Sequence, residues 1–186
     1  MDTKRDAESI RRALESSDLH LAIQLHRELF PSQPAGMMHE TDEGDLREYL
    51  EAPLPIFYFC TTEELRELRL RMATAVLVRM RIDYALSPDP SFPWPYAMSP
   101  KAAAQNFFMS TAIHRNISAW LKSGLVLTAK ILNSSDDPCA VCKAAAREYA
   151  VRQLPQLPLH NCENINSVGC RCSIVAANIA GLSKVW

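Results

Sequence analysis

Five of the six cysteines in this 186-residue chain fall within 34 residues, at Cys139, Cys142, Cys162, Cys170 and Cys172; the sixth, Cys60, stands alone in the run IFYFC. Thiolates at such spacing hold soft metal ions or run redox chemistry. Cys139 and Cys142 lie three apart, so on a helix they share one face, and the positive end of the helix dipole favours their deprotonated form. Asp136 or Asp137 can cap that helix and Pro138 can take its first position. Nineteen residues then separate Cys142 from Cys162, a spacing that suits two half-sites joined by a loop. The second half draws on His160, Cys162, Cys170 and Cys172. Its C-x7-C-x-C pattern is irregular for a zinc knuckle, and Gly169 eases the tight turn needed for Cys170 and Cys172 to reach one ion. Cys139 and Cys142 rank first as ligands, Cys170 and Cys172 next, with Cys162 or His160 as replacements. Soft thiolates select zinc or an iron–sulfur cluster, and the expected ion is one structural Zn2+ per chain. A C-x-x-C redox pair would leave the later cysteines without a purpose.

The elements that must position these residues follow from pattern and punctuation. Asp18 is placed to cap a helix from Leu19 to Phe30, ended by Pro31 and Pro34, and a short helix from Asp45 to Glu51 interrupts the loop that follows. Ile56 to Cys60 reads as a short strand. Thr61 with Glu64 forms a capping-box pattern that opens a helix running to Tyr84. Its five arginines, Arg66, Arg69, Arg71, Arg79 and Arg81, are read as a solvated face paired with nearby acids. Prolines through SPDPSFPWP forbid a helix and make a stiff connector carrying Phe92, Trp94 and Tyr96. Ser99-Pro100 starts a long helix to Lys122, Gly124 provides the left-handed residue after it, and Leu125 to Leu132 reads as a strand. A charged helix is expected from Lys143 to Arg152, and a closing one from Ser173 to Ile179. The predicted fold class is therefore α+β, mostly helical: an acidic helical region over 1–86, a Pro-rich connector over 87–98, and a long helix with a small cysteine-rich, zinc-stapled module over 99–186. The connector either separates two domains or is a rigid loop inside one core.

Composition narrows the function classes. Hydrophobic residues make up 48% and charged residues 22%, with 12 prolines but only 5 glycines, which excludes disordered and collagen-like chains. The net charge of -1 hides an asymmetry: residues 1–98 carry 11 basic against 17 acidic side chains, and residues 99–186 carry 9 against 4. Complementary halves that attract one another explain this pattern, and a nucleic-acid surface on the basic half (Lys122, Lys130, Lys143, Arg147, Arg152, Arg171) is the other reading. The opening MDTKRDAESIRR has no apolar core of a signal peptide, and no apolar run is long enough to span a bilayer, so a cytoplasmic protein without a membrane partner is expected. Phosphate-cradling glycine loops, H-E-x-x-H and nucleophile elbows do not occur.

Read together, Arg115, Trp120, Ser123-Gly124, the strand after it, Asp137-Pro138-Cys139-x-x-Cys142, Leu157-Pro158-Leu159-His160 and Cys170-Arg171-Cys172 resemble the C-terminal part of the phage Mu F-like minor head (head morphogenesis) proteins. The resemblance covers roughly residues 105–178. It implies Cys139, Cys142, Cys170 and Cys172 as the zinc positions, His160 as a neighbour or ligand, and a non-enzymatic part in head assembly, in host cytoplasm or virion, with protein partners or self-assembly. The chain departs from the family pattern in NCENINSVG, which lengthens the link between His160 and Cys170, and in the charged segment after Cys142. Two enzymatic alternatives have residues to support them. The P-C-x-x-C segment is similar to half of a zinc deaminase site, whose H-x-E half has one candidate, His26-Arg27-Glu28. Cys60 with His114 could form a nucleophile and base that meet only in space.

Overall fold

The computed structural model describes residues 3–30, 43–78, 98–133 and 138–180. The connector with Phe92, Trp94 and Tyr96, together with Arg79, Arg81, Asp136 and Asp137, lies outside the described residues. The chain divides into two compact units, one made of 1–52 and 57–94, the other of 53–56 and 95–186. The protein is mostly helical α+β.

The first unit is helical: α1 (Thr3–Glu15), α2 (Leu19–Leu29), α3 (Glu43–Glu51) and α4 (Thr62–Leu77). Asp18 caps α2 by accepting from the Leu21 N–H at 2.9 Å. The capping box of α4 forms in both directions, Glu64 N–H to Thr61 Oγ1 at 3.2 Å and Thr61 N–H to Glu64 Oε2 at 2.7 Å. Helical spacing brings Ile10, Ala13, Leu14, Ala22, Ile23, Leu46, Leu70, Ala73 and Leu77 into one buried core. At its edge Glu67 accepts two bonds from Arg11, at 3.0 and 2.6 Å, and one from Arg71 Nε at 2.6 Å. Arg66 pairs with Glu63 at 3.4 Å, whereas Arg69 donates to the Tyr49 and Ala52 carbonyls at the end of α3. Of the three described arginines on this helix, Arg66 and Arg71 are ion-paired and Arg69 instead closes a neighbouring helix.

One expectation about this stretch changes. Ile56 to Cys60 is not a strand: Pro55–Phe57 forms a 3-10 turn, and a second turn follows, closed by Cys60 N–H to the Phe57 carbonyl at 3.0 Å. A strand needs a partner ladder, and the helix starting at Thr62 leaves this run no length to find one. Helix α4 is described to Leu77, its cap residue Val78 donating to the Thr74 carbonyl; the rest of the predicted span to Tyr84 is outside the described residues.

The long helix of the second unit is α5 (Pro100–Ser123), capped by Ser99 Oγ, which accepts from Ala102 N–H at 3.1 Å, and ended by Gly124 at φ 66°. Next come β1 (Val126–Asn133), α6 (Ala140–Ala145), β2 (Glu148–Ala150), a 3-10 turn (Val151–Gln153) and β3 (Cys172–Ile179). The sheet is antiparallel in the order β2-β1-β3. Partners run from Asn133↔Cys172 through Ile131↔Ile174 to Val126↔Ile179, with an irregularity around Thr128. Ala129, Ile131 and Ile174 are buried, as are Ala102, Ala103 and Phe107 on α5.

Here the sequence reading needed correction twice. Ser173 to Ile179 is a strand, because β-branched Ile174, Val175 and Ile179 match the ladder that β1 offers, which outweighs the helix preference of Ala176 and Ala177. The charged helix expected from Lys143 to Arg152 stops at Ala145, because Glu148–Ala150 pairs with the other edge of β1.

Candidate metal centre

Three chain segments deliver the cysteines. Cys139 is the N-cap residue of α6 and Cys142 lies in its first turn; the helix starts at Ala140, so Pro138 precedes the cap rather than taking the first helical position expected of it. Cys162 sits in a run of turns, its N–H donating to the Leu159 carbonyl at 3.1 Å and its carbonyl accepting from Ile165 N–H at 2.9 Å. Cys170 precedes β3 and Cys172 opens it, opposite Asn133 on β1.

The sulfurs converge. Cys139 and Cys162 Sγ are 3.9 Å apart, and Cys142 and Cys162 Sγ 3.6 Å. Ligands about 2.3 Å from a tetrahedral ion have sulfurs about 3.8 Å apart, so these distances bracket the edge of one coordination sphere. All six cysteines are free thiols, and a disulfide would bring two sulfurs to about 2.05 Å. Two ligand groups result, Cys139 with Cys142 and Cys162, and Cys142 with Cys170 and Cys172; within each, all sulfurs lie within 4.8 Å. In an iron–sulfur cubane each iron takes one thiolate pointing outward, which spreads the sulfurs further than ligands of a single ion.

Electrostatics sets Cys139 apart from Cys142, Cys162 and Cys172. Cys139 is held below its ordinary value by the Cys142 backbone N–H, with help from the Glu163 backbone N–H. Burial pushes Cys142 and Cys162 up, against a backbone N–H from Asn164 that favours the Cys162 thiolate. Burial likewise raises Cys172 to about 12, and its thiol donates to Asn133 Oδ1 at 3.4 Å. A soft cation replacing the thiol protons would compensate the charge that burial otherwise disfavours at Cys142, Cys162 and Cys172.

One residue organises the loop between the ligands, and the sequence reading passed over it. Asn106, fully buried on α5, donates through Nδ2 to the Ile165 carbonyl at 2.9 Å and accepts through Oδ1 from Cys170 N–H at 3.0 Å. Ser99 adds a second tie: its N–H donates to the Asn166 carbonyl and its hydroxyl to the Ser167 carbonyl, both at 2.7 Å. Gly169 adopts φ +84°, and a Cβ there would meet Gln105 Cβ and Cγ at 2.7 Å. The long helix is therefore the template on which the cysteine loop is folded. An amide on a predicted helix two turns from its cap carries no signal of its own; only its partners reveal the role.

The four first-ranked ligands do not form one group: Cys142 lies with Cys170 and Cys172 in one and with Cys139 in the other, where Cys162, ranked as a replacement, sits 3.9 Å from Cys139 and 3.6 Å from Cys142. His160 is exposed, with Nε2 3.3 Å from the Gln156 amide, and belongs to neither ligand group. His26 is 1% exposed within the first unit; its Nδ1 donates to the Leu77 carbonyl at 2.6 Å and its ring packs on Phe30. Among the described residues no histidine joins either group. An open pocket of about 230 Å³, lined by Cys139, Cys142, Cys162, Cys172 and Arg171, gives the centre access to solvent. Lys122, Lys130, Lys143, Arg147, Arg152 and Arg171 are all exposed. No helix among the described residues is long and apolar enough to cross a membrane.

Fold and site together define a mostly helical α+β protein with a thiol-rich centre able to hold a metal ion. No protein-family model, curated protein or solved structure matches the chain.

Proposed function

We propose that the second unit is a zinc-stapled module of a structural or assembly protein of the phage head-morphogenesis type. The observation that carries this reading is the convergence of five thiols with no histidine or carboxylate in either ligand group among the described residues. Structural zinc sites are closed by four protein ligands, whereas hydrolytic ones keep a position open for water. Cys139, Cys142 and Cys162, already grouped, supply three ligands, and Cys170 or Cys172, which share a group with Cys142, are the candidates for the fourth once drawn in by the ion. The ion offsets the mutual repulsion of the thiolates and fastens β3 and the 162–170 loop to α6. Exposed Leu121, Leu125, Leu127, Leu132 and Val175 supply apolar surface for a protein partner or a second copy, as assembly requires. The exposed basic side chains favour, as a second role, contact with nucleic acid, whose hallmark is affinity falling steeply with salt.

The test is elemental analysis of protein purified without added metal, with a native mass. One zinc per chain is expected, and Cys139→Ser is expected to lower the metal content and loosen residues 138–180 in hydrogen exchange. Unchanged metal content in that variant refutes the ligand assignment. Zinc retained only through His26, seen as loss on His26→Ala, would instead favour the deaminase-like alternative.

A further inference from the structure

The two ligand groups share a corner, Cys142, and this sharing sets a count. Two tetrahedral ions would need eight ligand positions; one bridging sulfur fills two of them, so seven donors are required and only five thiols are present. Two three-coordinate ions need six positions, and a bridging Cys142 lets five thiols fill them all. We propose that the centre takes two soft monovalent ions of the Cu(I) class, one in each cysteine triad, bridged by the Cys142 thiolate.

The geometry suits that occupancy. Sulfurs about 2.3 Å from a trigonal ion lie about 4.0 Å apart, and the distances of 3.9 and 3.6 Å in the first triad sit near that edge. Thiolates are the ligands that select Cu(I), a closed-shell ion with no penalty for three-coordination. Each bound ion displaces thiol protons to solvent and changes no oxidation state. Five thiolates and two monovalent cations leave a charge of -3 on the cluster. Backbone N–H groups of Cys142 and Glu163 on the Cys139 sulfur and of Asn164 on the Cys162 sulfur spread part of it, and Arg171 lines the same pocket. That pocket opens the cluster to a metal carrier.

This inference uses the same cysteine cluster as the zinc-stapled reading but does not depend on zinc. The experiment is an anaerobic titration of reduced, metal-free protein with Cu(I) against a chromophoric Cu(I) chelator, followed by X-ray absorption of the loaded protein. Two Cu(I) per chain are expected, each with three sulfur neighbours, together with a short copper–copper vector. Cys139→Ser and Cys172→Ser each leave one triad whole, so each is expected to bind one Cu(I) and to lose that vector. One Cu(I) per wild-type chain, or two without the vector, overturns the proposal. A separate zinc titration keeps the two readings apart: one zinc with one Cu(I) leaves the staple and removes the two-ion centre, while two bridged Cu(I) without zinc uptake does the reverse.

Discussion

Gly124 and Gly169 have similar backbone angles but different surroundings, and the pair makes a controlled experiment. Both sit at positive φ, 66° and 84°, so Ala at either position incurs the same left-handed backbone penalty of about 1 kcal/mol. At Gly124 nothing lies within 4 Å of the added Cβ, and the penalty ends there. At Gly169 the Cβ meets Gln105 Cβ and Cγ at 2.7 Å and Asn106 Oδ1 at 3.1 Å. Gln105 Cβ is fixed to the α5 backbone and cannot swing aside, so the loop must lift from the helix. Lifting breaks the bond from Cys170 N–H to Asn106 Oδ1, which costs a further 1–3 kcal/mol, roughly, for a buried pair. Gly169→Ala should therefore destabilise the module by about 2–4 kcal/mol, and Gly124→Ala by about 1. Since Cys170 moves with the loop, metal affinity should fall by roughly 10–100-fold in the first variant and hold in the second. Hydrogen exchange over residues 164–172 and competition with a zinc chelator read the two effects. Equal protection and equal affinity in both variants would show that the approach of the loop to α5 does not position the ligands.

Other outcomes follow from named contacts. Asn106→Ala leaves the Ile165 carbonyl and the Cys170 N–H without their partner and should weaken metal binding by roughly 10–100-fold; Asn106→Asp, which keeps the acceptor, should recover part of that loss in the same competition assay. Burial raises the Glu67 carboxyl, but the bonds from Arg11 and Arg71 outweigh it and leave its value below the usual 4.5. A lowered carboxyl adds stability that is complete above the unfolded value and lost as pH falls through the folded one. Denaturation of the protein at neutral pH and again below 4.5 should thus show acid loss of the first unit. Glu67→Gln should flatten that dependence and cost about 1–3 kcal/mol at neutral pH, because Arg71 is left partly buried without its carboxylate.

How far residues alone carried the description differs by feature. Caps were legible because each is a local contract between a side chain and a backbone group a few residues away: Asp18, Thr61 with Glu64, Ser99 and Gly124 all act as their types suggest. The closing strand was not, since Ser173 to Ile179 becomes a strand through a partner some 40 residues earlier, and Ala-Ala in its middle speaks for a helix. The cysteines were legible as a set by their clustering. Their ranking was not, because the place of Cys162 depends on a turn between Leu159 and Ile165, and the exposure of His160 depends on the same turn facing outward.

The position of β1 also orders events in time. It is the middle strand of the sheet, yet its two neighbours arrive in the chain far apart: β2 begins 15 residues after β1 ends, and β3 begins at Cys172. A chain emerging from the ribosome therefore displays a half-zipped ribbon, with Cys139 and Cys142 in hand and nothing to close over them. Only when Cys172 appears can the last strand and the last ligand be added in a single stroke. Completion of the sheet and assembly of the Cys142, Cys170 and Cys172 group thus become one event, and a soft ion met earlier by the first pair alone would have only two ligands to hold it.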